Sequence, residues 1–80
     1  MISKKEVITC ISKALKVPAK DIKDDFKSDN CEEWDSIGQL NIMMSLDKKL
    51  KGKVVKIKEI SEADSLKKIN KILQKNKLLK

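Results

Sequence analysis

Glu32-Glu33-Trp34-Asp35-Ser36-Ile37-Gly38-Gln39-Leu40 is the stretch that decides how the rest of the chain is read, because it sets a serine where an acidic segment meets an apolar-periodic one. The same geometry supports two readings. Ser36 followed three residues later by Gln39 fits the S-x-x-Q capping box, a local device that needs no chemistry. A serine at a helix start also offers an exposed hydroxyl, and a phosphodiester on it would lie against free backbone N–H groups and the positive end of the helix dipole. Asp35, immediately before, places a carboxylate where Mg²⁺ held by a modifying enzyme could take one more oxygen ligand.

Downstream of Ser36, the residues Ile37, Leu40, Ile42, Met43, Met44, Leu46 and Leu50 predict a helix to about residue 50 or 51, with Gly52 as its stop signal. Its apolar residues cover more than half the circumference, too wide for one buried stripe. Such a helix is either buried on two sides or shows part of its surface to a partner. Upstream, Ala19 to Asp35 mixes acids, Ser28 and Asn30 with isolated apolar anchors at Ile22, Phe26 and Trp34, and reads as a long pinned loop. Loops beyond about 12–15 residues are uncommon in compact domains unless they serve a function. The four-residue step from Ile22 to Phe26 allows a helical turn there.

The flanks are clearer. Val7, Ile8, Ile11, Ala14 and Leu15 recur at three- and four-residue steps, so a first amphipathic helix spans Ser3 to Lys16, with Ser3 and Glu6 as a capping box and Val17-Pro18 as its end. Val54, Val55, Ile57 and Ile60 anchor a basic connector with one helical turn between Ile57 and Ser61. Asp64 or Ser65 caps a final helix carrying Leu66, Ile69, Ile72 and Leu73 through Gln74. No alternating pattern of strand length and no internal repeat occurs. The expected fold is all-α: one domain over residues 1–80, a small four-helix bundle of three main helices plus one short helix, with 75–80 as a frayed lysine-rich tail.

Composition narrows the function. Eighty residues bury only about 60% of their unfolded surface, and so thin a core suits a binding or carrier domain better than a deep catalytic cavity. The chain has no histidine, so neither a Ser/His nor a Cys/His nucleophile pair can be built, and mixed Cys/His zinc sets are absent. No enzyme activity and no metal are expected. Cys10 and Cys31 read as reduced thiols. Met1 to Leu15 is interrupted by Lys4, Lys5, Glu6 and Lys13, unlike a signal peptide, and no apolar run reaches the roughly 18 residues that span a bilayer, so a cytoplasmic, soluble monomer without stable membrane insertion is expected.

The net charge of +7 raises the question of nucleic acid or anionic membrane. Its distribution argues otherwise: Asp21 to Asp47 holds eight acids and two lysines, net −6, while the remaining residues carry +13. A phosphate-binding groove would not be centred on that acidic middle. One Trp, one Phe and no arginine leave little to stack or read bases, so no nucleic-acid partner is expected.

Asp35-Ser36-Ile37 resembles the Asp-Ser-Leu signature of acyl carrier proteins, whose serine receives 4′-phosphopantetheine from coenzyme A. The likeness extends over essentially the whole chain. The first amphipathic helix, the Val17-Pro18-Ala19-Lys20-Asp21-Ile22 entry, the acidic loop anchored by Phe26, the helix opening at the serine and the last helix near Ser65 are similar to the family in order and spacing. The resemblance implies a bundle whose Ser36 carries the arm with support from Asp35, the arm's thiol holding acyl or aminoacyl groups as thioesters. It implies as partners a phosphopantetheinyl transferase, an acyl- or aminoacyl-loading ligase and a downstream acyltransferase, with Ile37, Met44 and Trp34 expected to meet them. Ordinary core filling is the competing reading for Met43 and Met44.

The chain departs from fatty-acid carriers of that family in charge. Where their second helix shows a row of carboxylates, this one has Gly38, Asn41, Asp47, Lys48 and Lys49, so one carboxylate survives and two positions are reversed. With exposed pairs worth about 0.2–1 kcal/mol each, that reversal alters partner choice. The expectation is a specialised biosynthetic pathway rather than bulk fatty-acid synthesis, and Trp34 before Asp35-Ser36 is similar to carriers of that kind. The alternatives are a basic helical binding module for nucleic acid or anionic membrane, and a carrier-like interaction subunit whose Ser36 stays unmodified.

Overall fold

A computed structural model describes residues 1–80 and contains three α-helices: α1 (Lys4–Leu15), α2 (Ser36–Lys49) and α3 (Leu66–Lys75). Three 3₁₀ turns lie between them, at Ala19–Asp21, Ser28–Asn30 and Lys58–Glu62. There is no sheet, only two isolated bridges. The all-α class follows. The short fourth helix does not: the connector makes i→i+3 bonds, Ile60 N–H to Ile57 O at 3.2 Å and Ala63 N–H to Ile60 O at 3.2 Å, and is a 3₁₀ turn. Ser61 Oγ donates to the Lys58 carbonyl at 2.9 Å, so a side chain takes an acceptor that an α-helical turn would use.

α1 begins as its sequence dictates. Ser3 Oγ accepts from the Glu6 N–H at 3.2 Å and the Ser3 N–H donates to Glu6 Oε1 at 3.1 Å, the reciprocal capping box. It ends at Lys16, whose φ of 58° lets the Val17 N–H reach Ser12 O at 3.1 Å before Pro18 forbids further helix. Lysines close the other helices similarly: Lys51 and Lys77 also have positive φ. α1 and α2 run antiparallel, with Leu15 against Gly38 at one end and Cys10 against Ser45 further along.

Nineteen buried apolar residues form one cluster, among them Val7, Cys10, Ile11 and Leu15 from α1, Ile42 and Leu46 from α2, Leu66, Ile69 and Leu73 from α3, and Val54, Ile60 and Ala63 from the connector. The loop from 19 to 35 contributes Ile22, Phe26 and Trp34, so it is pinned as its spacing suggested; its 3₁₀ turns fall at 19–21 and 28–30, and between Ile22 and Phe26 lies a single hydrogen-bonded turn, the Phe26 N–H donating to Lys23 O at 2.9 Å. Ser28 N–H bonds Asp64 O at 2.8 Å and Leu66 N–H bonds Phe26 O at 2.9 Å, tying this loop to the start of α3. No helix is long and apolar enough to cross a membrane.

The C-terminus corrects the expectation of a frayed tail. Lys77 turns the chain, Leu78 and Leu79 are buried, and the Ile2 N–H donates to Leu78 O at 3.0 Å while the Lys80 N–H donates to Ile2 O at 2.9 Å. Two adjacent leucines carry enough apolar surface, about 1.5–3 kcal/mol each when fully buried, to outweigh the entropy that favours a loose end.

Candidate functional site

The site is the first turn of α2. Asp35 has extended backbone (φ −97°, ψ −165°) and its Oδ1 accepts from the Gly38 N–H at 2.8 Å, so Asp35 is the N-cap and Ser36 the first helical residue. The S-x-x-Q reading of Ser36 and Gln39 as a capping box is therefore corrected. Two adjacent residues can each cap, and the carboxylate, a charged acceptor at a helix N-terminus, is the stronger of the two.

Relieved of capping, Ser36 is exposed and its hydroxyl makes no hydrogen bond inside the chain. The Ser36 and Ile37 N–H groups likewise have no acceptor in the chain, as is usual for the first residues of a helix. A phosphate on Ser36 Oγ would meet these two donors. The residues present therefore fit a phosphodiester-linked arm.

Gln39 has a different task from the one its spacing suggested. Its Oε1 accepts from the Trp34 indole N–H and its Nε2 donates to the Ile60 carbonyl at 2.8 Å, so one amide joins the loop, α2 and the connector. Trp34 is buried and stacked on Phe26, ring centroids 5.7 Å apart. Its expected role in meeting partners is corrected: the indole is an anchor beneath the site, held there because its apolar area and its N–H are both satisfied inside.

Gly38 is buried and shaped by the same contact. A Cβ there would collide with the Glu33 carbonyl oxygen and lie 2.8 Å from Leu15 Cδ2. The position cannot display a carboxylate, or any side chain, to a partner. Asp47 is also withdrawn, its Oδ1 accepting from the Val54 and Val55 N–H groups at 3.0 and 3.1 Å to hold the turn after α2. The one carboxylate among Gly38, Asn41, Asp47, Lys48 and Lys49 is thus spent on the chain's own backbone.

What α2 does show is apolar. Ile37 is 71%, Leu40 53% and Met44 56% exposed, at i, i+3 and i+7, a ridge about 10 Å long that starts beside Ser36. Ile37 and Met44, two of the residues expected to meet partners, are both exposed. Leu40 was not singled out, although its three-residue step from Ile37, out of phase with the buried Ile42 and Leu46, carries the signal. Met43 packs against the core, so of the two methionines only Met44 faces out. Lys48 and Lys49 are exposed at the helix end.

Beside the ridge, a groove of about 740 Å³ opens between the start of α2 and residues 61–64, lined by Trp34, Asp35, Ser36, Leu40, Met43 and Ser61 among others. Asp64, also on its wall, is held below the usual carboxylate range by a hydrogen bond and ion pair with Lys68 at 3.0 Å. Cys31, near the acidic loop, has its thiol pushed up by burial and by its hydrogen bond to the Glu33 carboxylate, so it stays protonated and is a poor nucleophile. Both cysteines are free.

No protein-family model matches this chain, and comparisons with curated proteins and with solved structures give no match either.

Proposed function

We infer that the chain is an acyl-carrier-type protein: Ser36 bears 4′-phosphopantetheine, and the chain presents that arm to enzymes without catalysing a reaction of its own. The observation that carries this reading is the Ser36 hydroxyl, exposed and unbonded at the first position of α2 because Asp35 has taken the cap. The resemblance of Asp35-Ser36-Ile37 and of the order of elements to acyl carrier proteins supports it further.

In this reading a transferase forms the Ser36 Oγ–phosphorus bond as the pyrophosphate bond of coenzyme A breaks, adenosine 3′,5′-bisphosphate leaving and the hydroxyl proton passing to that enzyme. The arm supplies a thiol that holds an acyl or aminoacyl group as a thioester. Everything else is positioning by the chain. Asp35 keeps the first turn formed and leaves its second carboxylate oxygen for the transferase's Mg²⁺. The Ser36 and Ile37 N–H groups stabilise the attached phosphate. Ile37, Leu40 and Met44 give the loading ligase and the acyltransferase an apolar ridge to grip.

A specialised, cytoplasmic pathway is part of the proposal. Its support is that α2 beyond Asp35 shows no free carboxylate, with Asp47 bound to its own turn and Lys48 and Lys49 exposed. Enzymes that grip an acidic second helix would find little here.

Incubation of the folded protein with coenzyme A and a broad-specificity phosphopantetheinyl transferase, read by mass spectrometry, tests the proposal. Addition of one arm, lost in Ser36→Ala, is expected; an unchanged mass would overturn it.

A further inference from the structure

The crevice between α1 and α2 lies away from the Ser36 groove and shares no residue with it. It has a volume of about 380 Å³. Thr9, Cys10 and Lys13 form one wall, and Ser45, Lys48 and Lys49 the other. No carboxylate lines it.

Small residues create the opening. At the step where α1 crosses Ser45, the facing residues are Thr9 and Cys10, and the Cys10 thiol does no more than touch the Ser45 carbonyl at 3.9 Å. One hydroxyl is available to a guest: Ser45 Oγ makes no hydrogen bond in the chain, whereas the Thr9 hydroxyl already donates to Lys5 O at 3.1 Å.

The three ammonium groups are equally uncommitted. The chain's two salt bridges, Lys68 with Asp64 and Lys75 with Glu59, use none of them. Glu6 lies near enough to Lys49 for that charge to help hold its carboxyl low, but its Oε1 is occupied by the Ser3 cap. A preference for cations in a last helical turn accounts for Lys48 and Lys49 on α2 and for Lys13 on α1 separately. It does not account for all three lining one gap between the antiparallel helices.

We propose that this crevice is a binding site for a phosphate-type polyanion, of inorganic phosphate or diphosphate size. Three lysines call for a multivalent guest, since a monocarboxylate would neutralise one charge of three. Without arginine there is no planar fork to select a carboxylate, and lysines act on phosphate as point charges while the Ser45 hydroxyl supplies a directional contact. The guest could be a soluble phosphate compound or the phosphate of a lipid headgroup.

Amide chemical shifts separate these sources. Pyrophosphate titrated at low ionic strength into the full-length protein should move the amides of Thr9, Lys13, Ser45, Lys48 and Lys49 in a saturable way, and Lys48→Gln with Lys49→Gln should weaken binding at least tenfold. Lys53→Gln with Lys56→Gln, on the exposed connector, should leave it within twofold. Ser45→Ala should weaken it severalfold, which a diffuse charge effect would not do. Vesicles containing phosphatidic acid are the second arm: perturbation of the same amides assigns a lipid source, and perturbation by pyrophosphate alone a soluble one. Absence of localised shifts in both arms, or equal shifts in the Lys48/Lys49 variant, overturns the proposal.

Discussion

The indole N–H of Trp34 is satisfied by the side-chain carbonyl of Gln39, and this one bond couples the buried floor of the acidic loop to the second turn of α2. Because the Gln39 amide also donates to Ile60, the orientation of the α2 N-terminus depends on a polar link through a largely apolar core. Gln39→Leu should leave a buried indole N–H without an acceptor and destabilise the fold by about 1–3 kcal/mol in urea unfolding. A change within 0.5 kcal/mol (about the scatter of neutral surface substitutions) would show that the link carries no weight.

Gly38 should be the least replaceable residue of α2. The smallest added side chain meets a backbone carbonyl, which cannot swing aside as a side chain can, so Gly38→Ala should cost roughly 1–3 kcal/mol or more despite alanine's better helix propensity. Asn41→Ala, exposed one turn on, should be neutral or slightly stabilising. Thermal melts of the two variants compare them directly, and equal melting temperatures would contradict the packing described.

Much of this was legible beforehand. The Ser3/Glu6 box, the Val17-Pro18 stop and the Ser65 cap are local signals, each decided within four residues, and α1 and α3 follow them closely. The start of α2 was legible only to within one residue. Asp35 and Ser36 are both good caps with partners at the same spacing, and the choice between them goes with contacts to Glu33, Trp34 and Ile60 that local spacing does not reveal. The burial of Leu78 and Leu79 was hidden for the same reason, because their partner is Ile2 at the opposite end of the chain.

Asp35 holds the two halves of the functional account together, and its variants separate them. Asp35→Asn keeps a good N-cap and should stay near wild-type stability, whereas Asp35→Ala should lose about 0.5–2 kcal/mol. If the carboxylate also serves the transferase's metal, both variants should be modified at Ser36 at least tenfold more slowly, measured as kcat/KM for arm transfer. Full-rate modification of Asp35→Asn would limit Asp35 to capping.

Acid should loosen the start of α1. The Ser3 N–H, aided by the Ser3 hydroxyl and by Lys49 and Lys80 and opposed by partial desolvation, holds the Glu6 carboxyl below its ordinary value of 4.5. A carboxyl depressed in the folded state contributes stability that is complete above its unfolded pKa and is lost as pH falls through the folded one. Melting temperatures should therefore fall more steeply below about pH 4.5 in the wild type than in Glu6→Gln, which keeps the capping acceptor without titrating. Parallel curves would remove Glu6 from the acid response.

The central claim concerns the state of one hydroxyl in the cell, and the mass of the Ser36-containing peptide from protein purified out of its native host reads it most directly. The expected result is a peptide heavier by one phosphopantetheine arm, with the added mass localised to Ser36 and absent from the Ser36→Ala protein. Peptide of unmodified mass throughout, from cells whose other carriers are loaded, would contradict it.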